Sequence, residues 1–343
     1  MTPRQFDASA TASGLVKELA PHIKGKVILT TGPSPGSLGD HFLRAIATAE
    51  PRLLILSGRT PSKLQQTVDA IHRDSPDVAT RLLQLKLDSL QDVRAAAETV
   101  MSDEWADVPA IDVLLNNAGI MAAPFSLTVD GFENHFATNH LGHFLFTNMI
   151  MPKILASSSP RVVNVSSDGH RLSPIRWADI NFNRGDRPHY DPWRAYGQSK
   201  TANMLMTLSL AEKLGPTRGL QAYSLHPGVT NTNLGAQIEW GTAFRNLREV
   251  EESMGNEEAY VDDFKWKTAD QCVATHVYAA FEPSLKEKNG AYLQDARVAD
   301  PWTDTVKPWA TSSIEAERLW KLSEELVGQD FSYKTKQPTT SNP

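Results

Sequence analysis

Short apolar, β-branched runs alternate along the chain with longer stretches of helical period. The runs are Lys26–Thr31, Leu53–Ser57, Leu82–Leu87, Ile111–Asn116, Arg161–Ser166 and Leu220–Leu225, with a weaker one at Ala291–Leu293. Each is apolar on both faces, as a strand held between two helix layers must be. The spacing leaves room for a helix after each run, which a parallel connection requires. The pattern predicts a doubly wound α/β fold with a mainly parallel seven-stranded sheet and helices on both faces.

Polar punctuation supports the helices. Thr60-Pro61 places an N-cap and a first-turn proline before Ser62–Arg73. Ser89 with Asp92 resembles a capping box for Leu90–Met101, and Asp130 with Glu133 resembles one for a long helix reaching Met151. Asp191-Pro192 opens a helix from Trp193 to Leu214, which Gly215-Pro216 is expected to close. Residues 1–23 read as an extension carrying a short packing helix at Val16–Ile23. Residues 24–333 read as one domain with insertions at 168–191 and 235–267. The polar tail 334–343 is expected to be disordered.

Composition narrows the classes. Apolar residues make up 41% and charged residues 22% of 343, which suits a globular protein with a substantial core. Lys plus Arg is 34 against 40 acids, a net charge of −6, so the basic footprint of a nucleic-acid binder is missing. Cys272 is the only cysteine, which excludes an intrachain disulfide. No apolar run approaches the roughly 18 residues of a membrane span. Met1–Gly14 lacks the apolar core of a signal peptide, so a cytoplasmic protein is expected.

Candidate chemistry begins after the first run. Thr31-Gly32-Pro33-Ser34-Pro35-Gly36-Ser37-Leu38-Gly39 joins a strand to a helix start, where free N–H groups can cradle a phosphate. An acid closing the second strand would read ribose hydroxyls; this chain has Ser57-Gly58-Arg59 instead. The guanidinium fork of Arg59 suits a 2′-phosphate, which favours NADP(H) over NAD(H). Tyr196 and Lys200 are four apart, so a helix puts them on one face, where an ammonium favours the phenolate. Asn116-Asn117-Ala118-Gly119 and Ser166-Ser167 close two central strands, Asn139 lies in the helix between them, and His226–Thr232 follows the sixth strand. All would meet at the carboxyl edge of the sheet, where such folds bind ligands.

With these motifs the sequence resembles the short-chain dehydrogenase/reductase family, a Rossmann-type fold, over residues 24–235 and more weakly to 328. Asn139-His140-Leu141-Gly142-His143-Phe144, Tyr196–Lys200 with Thr201-Ala202-Asn203, and Leu319–Glu324 look like its retinol-dehydrogenase-like and WW-domain-oxidoreductase-like branch, including fungal relatives. The resemblance implies hydride transfer between a nicotinamide and a carbonyl or alcohol. It places Asn139, Ser167, Tyr196 and Lys200 in catalysis: Tyr196 as acid/base, Ser167 on the substrate oxygen, Lys200 on the nicotinamide ribose and depressing Tyr196, Asn139 holding a water. It places Gly32, Ser34, Gly36, Leu38 and Gly39 around the pyrophosphate, Asp88 near the adenine, Asn117, Ala118 and Gly119 by the adenosine ribose, and Val229 and Thr232 by the nicotinamide. Two features depart from the family: the glycine loop has one extra residue, and Ser167 and Tyr196 are 29 apart. Family members form dimers or tetramers through the helices carrying Asn139 and Tyr196, an assembly that the tail segments here could block.

The expected enzyme is an NADP(H)-dependent ketone or aldehyde reductase acting on a medium or large, apolar or aromatic molecule, of the kind found in secondary metabolism. The alternatives are a nucleotide-binding regulatory or interaction protein with the same fold, and an enzyme of redox-linked dehydration or rearrangement. Trp240, Phe244 and Trp266 read as a lid or as an ordinary packed helix, and the seven acids from Glu249 to Asp263 as a solvated face. The segment 168–191, with Trp177, Phe182, His189 and Tyr190, reads equally as a substrate mouth or a packed excursion. His135, His140 and His143 lack the carboxylate pattern of a metal site, so none is expected. Asn164-Val165-Ser166 matches a glycosylation acceptor but falls in a strand expected to be buried, and Cys272 with His276 fits a helix interior.

Overall fold

A computed structural model describes residues 6–183, 190–235, 238–260 and 265–333. The expected tail 334–343 and His189 lie outside them. Strands β1 (Val27–Thr31), β2 (Leu53–Gly58), β3 (Thr80–Gln84), β4 (Val113–Asn116), β5 (Arg161–Val165), β6 (Gln221–Leu225) and β7 (Tyr292–Gln294) are all parallel, in the order β3-β2-β1-β4-β5-β6-β7. The sheet therefore has eight strands, one more than expected: β8 (Arg297–Val298) folds back antiparallel on β7 through Asp295 and Ala296, both at positive φ. Two residues are too few to show in a hydropathy pattern. The third strand also starts and ends earlier than the run Leu82–Leu87. It pairs only with β2, and pairing stops at Gln84 opposite Gly58, where β2 ends.

Alternate residues of each buried strand serve opposite cores. Leu29, Ile55, Leu114, Val162 and Ala222 face one apolar cluster with α4 (Leu90–Met101), α6 (Gly142–Met149) and α8 (Pro192–Arg218). Ile28, Leu54, Leu115, Val163 and Tyr223 face the other, with α2 (Leu38–Ala47), α3 (Pro61–Asp74) and α10 (Ala269–Phe281). The N-terminal helix α1 (Ala12–Ile23) begins four residues earlier than Val16, capped by Thr11, and packs in this second cluster. Outside α6 and α8 lies α11 (Ser313–Val327): Trp320 meets Phe144 edge-on at 4.9 Å, and Ser209 donates to Ala316 O at 3.0 Å. Tyr333 then donates to Asn148 Oδ1 at 2.8 Å on α6.

Several helix ends differ from expectation. Thr60 occupies the N-cap of α3 but makes no capping hydrogen bond. Ser89 accepts from Asp92 N, while the Asp92 carboxylate turns to Lys86, so the box is half made. Asp130 accepts from Leu90 N instead, and Glu133 caps α5 (Asn134–Phe136). That short helix continues through a π turn, Ala137–Leu141, into α6, and α7 (Met151–Leu155) follows. Asp191 caps α8 as expected, but the helix runs past Leu214 to Arg218. Pro216 removes one bond on the exposed turn around Glu212, and the helix stops only where Gly219 turns to φ +70°. Among the described residues, no helix is long and apolar enough to cross a membrane.

Candidate active site

The carboxyl ends of β1, β4, β5 and β6 carry the residues singled out above, and close backbone approach brings them together. Gly32 stands at φ +69°, and a Cβ there would lie 2.8 Å from Ala118 Cα. The glycine loop and the Asn116–Gly119 turn can touch only because that atom is missing. The extra loop residue is absorbed by a tight turn, Ser37 N donating to Ser34 O at 2.9 Å, which makes Ser37 the N-cap of α2. Leu38 and Gly39 then form the first helical turn, where N–H groups have no intrahelical acceptor. A Cβ on Gly39 would sit 2.7 Å from Asn117 Nδ2. The helix start at Leu38 and Gly39 suits a pyrophosphate, while Gly36 N is already held by the Asp40 carboxylate at 2.8 Å.

At the ends of β2 and β3, Arg59 is 73% exposed with its guanidinium 4.0 Å from the Asp88 carboxylate. These two residues are neighbours, and the fork of Arg59 has donors to spare. On the other side, Val229 bridges to Trp266, and Thr232 Oγ1 accepts from Leu234 N.

A second close approach assembles the reacting groups. A Cβ on Gly197 would lie 2.8 Å from Leu172 Cβ and 2.9 Å from Gly169 O, and one on Gly169 would lie 2.8 Å from Tyr196 Cε1. These two glycines let the turn after β5 press on α8, which puts Ser167 beside Tyr196 despite a separation of 29 positions. Lys200 Nζ is 5.5 Å from the Tyr196 ring centroid and donates to Val165 O at 3.0 Å. A Cβ on Gly119 would be 3.5 Å from that Nζ and 3.1 Å from Asn139 Oδ1, so all four catalytic candidates share one space. The Asn139 amide is engaged at both ends, accepting from Ile120 N at 2.8 Å and donating to Ile120 O and Ser199 Oγ. Its main-chain carbonyl is reached by His143 Nδ1 at 3.1 Å.

The electrostatics differ from the simple expectation. Burial pushes the Tyr196 phenol well above its usual range; the neighbouring Ser167 hydroxyl pulls it down and Asp168 pushes it up. Burial is the largest of these influences. Burial pushes Lys200 down to about 8 from 10.5. Between those values the unfolded chain binds the proton and the folded chain does not, so this group adds stability as pH rises. In the cofactor-free chain, Lys200→Met is expected to flatten the rise in urea midpoint across that window; parallel curves for the two proteins would show a solvated lysine.

Sequence reasoning missed the bonds that Thr31 and His143 share and the buried ion pairs of Arg171. Thr31 Oγ1 accepts from Asn117 N and Ala118 N, both at 2.9 Å, so its own hydrogen goes to His143 Nε2 at 2.9 Å. Donor counting thereby makes His143 a neutral ring with its proton on Nδ1, and burial, pushing it down to about 4, keeps it so. Beyond Ser167, Arg171 pairs with Asp168 at 2.7 Å and with Glu251 at 2.6 Å, both Arg171 and Glu251 being under a tenth exposed. The acid placed directly after the serine was the available signal. Glu251 also corrects the solvated face: at least this acid is buried.

It anchors α9 (Trp240–Ser253), as do Trp193 Nε1 to Ala243 O at 2.9 Å and Arg194 to Ser253. Leu247 and Val250 of α9 join Leu172, Trp193 and Tyr196 in one apolar cluster. The helix is thus a wall beside the tyrosine, with Trp240 and Phe244 in tilted ring contact at 5.1 Å on its outer edge.

In the other insertion, Trp177 donates to Glu315 of α11 and Phe182 is buried under Arg176, so both are packing residues. Tyr190 donates to Ala123 O at 2.8 Å, near the site. His135 is paired with Glu133, His140 with Ser323 and His276 with Cys272 O. Asn164 is buried in β5, bonded to Asn116 and Thr207.

This arrangement can be set beside known proteins. A sequence model described as short chain dehydrogenase matches residues 26–178. The chain is 34% identical to short-chain dehydrogenase/reductase prx1 of Penicillium roqueforti, covering 94% of this chain and 91% of that one. It belongs to the short-chain dehydrogenase/reductase family. Within it, retinol dehydrogenase 12 of Bos taurus is 33% identical over 89% of this chain and 87% of its own, so the retinol-dehydrogenase-like branch is the one matched. An uncharacterised protein from Mycobacterium paratuberculosis superposes with TM-score 0.65 and 29% identity, covering 91% of this chain and 98% of that chain. A short chain dehydrogenase from Escherichia coli CFT073, crystallised with NADPH, shares the fold at TM-score 0.57 and 21% identity, covering 80% and 98%. The family makes this chain an oxidoreductase that uses a nicotinamide cofactor.

Proposed function

We propose that this chain is an NADP(H)-dependent reductase of aldehydes or ketones on medium or large, apolar or aromatic molecules. The observation that supports the reading most is the meeting of Tyr196, set in an apolar wall, with Ser167 and Lys200 in one space. A bound nicotinamide supplies the hydride that reaches the carbonyl carbon. Tyr196 gives its phenolic proton to the carbonyl oxygen as that oxygen gains charge. Ser167 positions the oxygen, and Lys200, reached from solvent past the Asn139 carbonyl, returns a proton to the tyrosine. Trp193, Leu247 and Val250 keep water from the tyrosine face.

The Leu38–Gly39 helix turn takes the pyrophosphate, with Gly32, Ser34 and Gly36 around it. Asn117, Ala118 and Gly119 flank the adenosine ribose, Asp88 lies towards the adenine, and Val229 and Thr232 hold the nicotinamide end. The outer faces of α6 and α8 are spent on α11 and Tyr333 within the chain, which favours a monomer over the dimer or tetramer expected from the resemblance.

The test is NADPH oxidation followed by absorbance with a panel of aldehydes and ketones, from benzaldehyde to all-trans-retinal; no turnover with any would remove the reading. Arg59 makes the cofactor preference separately testable. Arg59→Asp is expected to raise the ratio of NADH to NADPH use at least about tenfold, because a charged fork is exchanged for a charge that repels a 2′-phosphate. An unchanged ratio would show that Arg59 does not face that phosphate.

A further inference from the structure

We propose that Tyr190 and His135 are positioning residues of the reaction centre: they clamp Ala123 by its carbonyl and its N–H, and so fix Met121 and Ala122 as a bridge on which the carbon skeleton of the substrate rests. This deepens the proposed reaction and rests on that reading for its substrate. The Tyr190 hydroxyl donates to Ala123 O at 2.8 Å, and Ala123 N donates to His135 Nε2 at 3.1 Å. A carbonyl can only accept and an amide N–H can only donate. The single phenolic hydrogen of Tyr190 is therefore spent on Ala123. His135 in turn carries its ring hydrogen on Nδ1, which meets Glu133 Oε1 at 2.8 Å. Glu133 is fully buried and also accepts from His135 N and Phe136 N, both at 2.9 Å, which fixes the carboxylate that orients the ring.

Three residues earlier the chain is held in the same way. Ile120 N donates to Asn139 Oδ1 at 2.8 Å, and Ile120 O accepts from Asn139 Nδ2 at 3.0 Å. Asn139 and His135 belong to one continuous stretch, α5 and its π turn, so both ends of the span are tied to the same element. Between the ties stand Met121 and Ala122, and Ala122 has φ +47°. That conformation costs an alanine energy unless its surroundings impose it. The span lies at the reaction centre. Met121 and Ala122 pack against the apolar cluster that holds Tyr196, and His135 meets the Tyr196 ring edge-on at 6.5 Å. The Tyr190 ring is seated separately from its hydroxyl, by Phe125 at 5.1 Å and Phe182 at 5.6 Å. Removing the hydroxyl therefore loosens the bridge and leaves the ring in place. Through Tyr190 the insertion 168–191 shapes the substrate mouth at one remove, by fixing another loop.

The test compares the full-length wild type with Tyr190→Phe and with Tyr190→Phe/Ala122→Gly. Hydrogen exchange of the peptide 119–125, followed by mass spectrometry without cofactor, is expected to run about tenfold faster in Tyr190→Phe, with the β4 and β5 peptides unchanged. With NADPH and the best carbonyl of the panel, KM is expected to rise at least about fivefold in Tyr190→Phe, with kcat and NADPH affinity within about twofold of wild type. The lost bond holds the skeleton and not the reacting oxygen. Glycine takes φ +47° without strain, so the double variant is expected to regain most of the KM. An unchanged exchange rate overturns the clamp. Faster exchange with an unchanged KM overturns its role towards substrate, and a double variant no better than the single one overturns the part given to Ala122. A wild type inert towards every carbonyl strikes the proposed reaction instead, and exchange alone then decides the clamp.

Discussion

Tyr196→Phe is expected to lower turnover by at least about a thousandfold while leaving NADPH affinity within about twofold of wild type. The change removes one oxygen and keeps the ring. Its neighbours Trp193, Leu172, Leu247 and Val250 pack on carbon, so the apolar wall survives. What goes is the hydroxyl set beside Ser167 and Lys200, and with it the proton proposed to reach the carbonyl oxygen. Binding is read by NADPH fluorescence and turnover by absorbance. Activity within tenfold of wild type would take Tyr196 out of the chemistry and leave Lys200, at about 8, as the next proton source.

Arg171→Met is expected to destabilise the chain by about 3–5 kcal/mol, the largest effect of any substitution considered. Arg171 serves two carboxylates at once, Asp168 and Glu251, with Glu258 a further 3.9 Å contact. Without it, Glu251, 3% exposed, keeps among the described residues only Asn256 Nδ2 at 2.6 Å as a side-chain donor. A buried carboxylate left with one neutral donor costs its desolvation in full. The double variant Arg171→Met/Glu251→Leu is expected to recover part of the loss, because no charge remains to be buried. Urea unfolding of both variants measures this. A single variant with a wild-type midpoint would mean that water reaches this pair and that α9 is held by Trp193 and Arg194 alone.

That ion pair also marks where sequence reading ends. The strands were legible because a strand buried on both faces must be apolar at every position, and the six long runs lie on six parallel strands. Their ends were less legible. The edge strand β3 stops where its single neighbour stops, a fact about pairing that Leu85 and Leu87, still buried, conceal. The Asp130 carboxylate had a plausible local cap to make and made a distant one, to Leu90 N, 40 residues earlier. Pro216 followed Gly215 as a helix stop does, yet the backbone turned only at Gly219.

The site divides in the same way. Asn139, Ser167, Tyr196 and Lys200 could be picked out in the chain because strand ends and the helical spacing of four place them at one edge, and the structure does bring them into one space. Glu251 could not be picked out. It sits among seven acids that look alike in sequence, and only the fold of α9 against Arg171 makes it an interior residue. Nor could the protonation of Tyr196 be read from its spacing to Lys200. Spacing tells which groups are near, and favours the phenolate. Burial decides how far water can pay for charge, and here it pushes the phenol up. The sequence by itself therefore determined the sheet, the order of its motifs and the edge where they gather, because hydrophobic periodicity and backbone turns are local properties. The tertiary structure alone decided which acids are buried, where each shared hydrogen lies and in which state the tyrosine waits, because desolvation and hydrogen-bond partners come from residues distant in the chain.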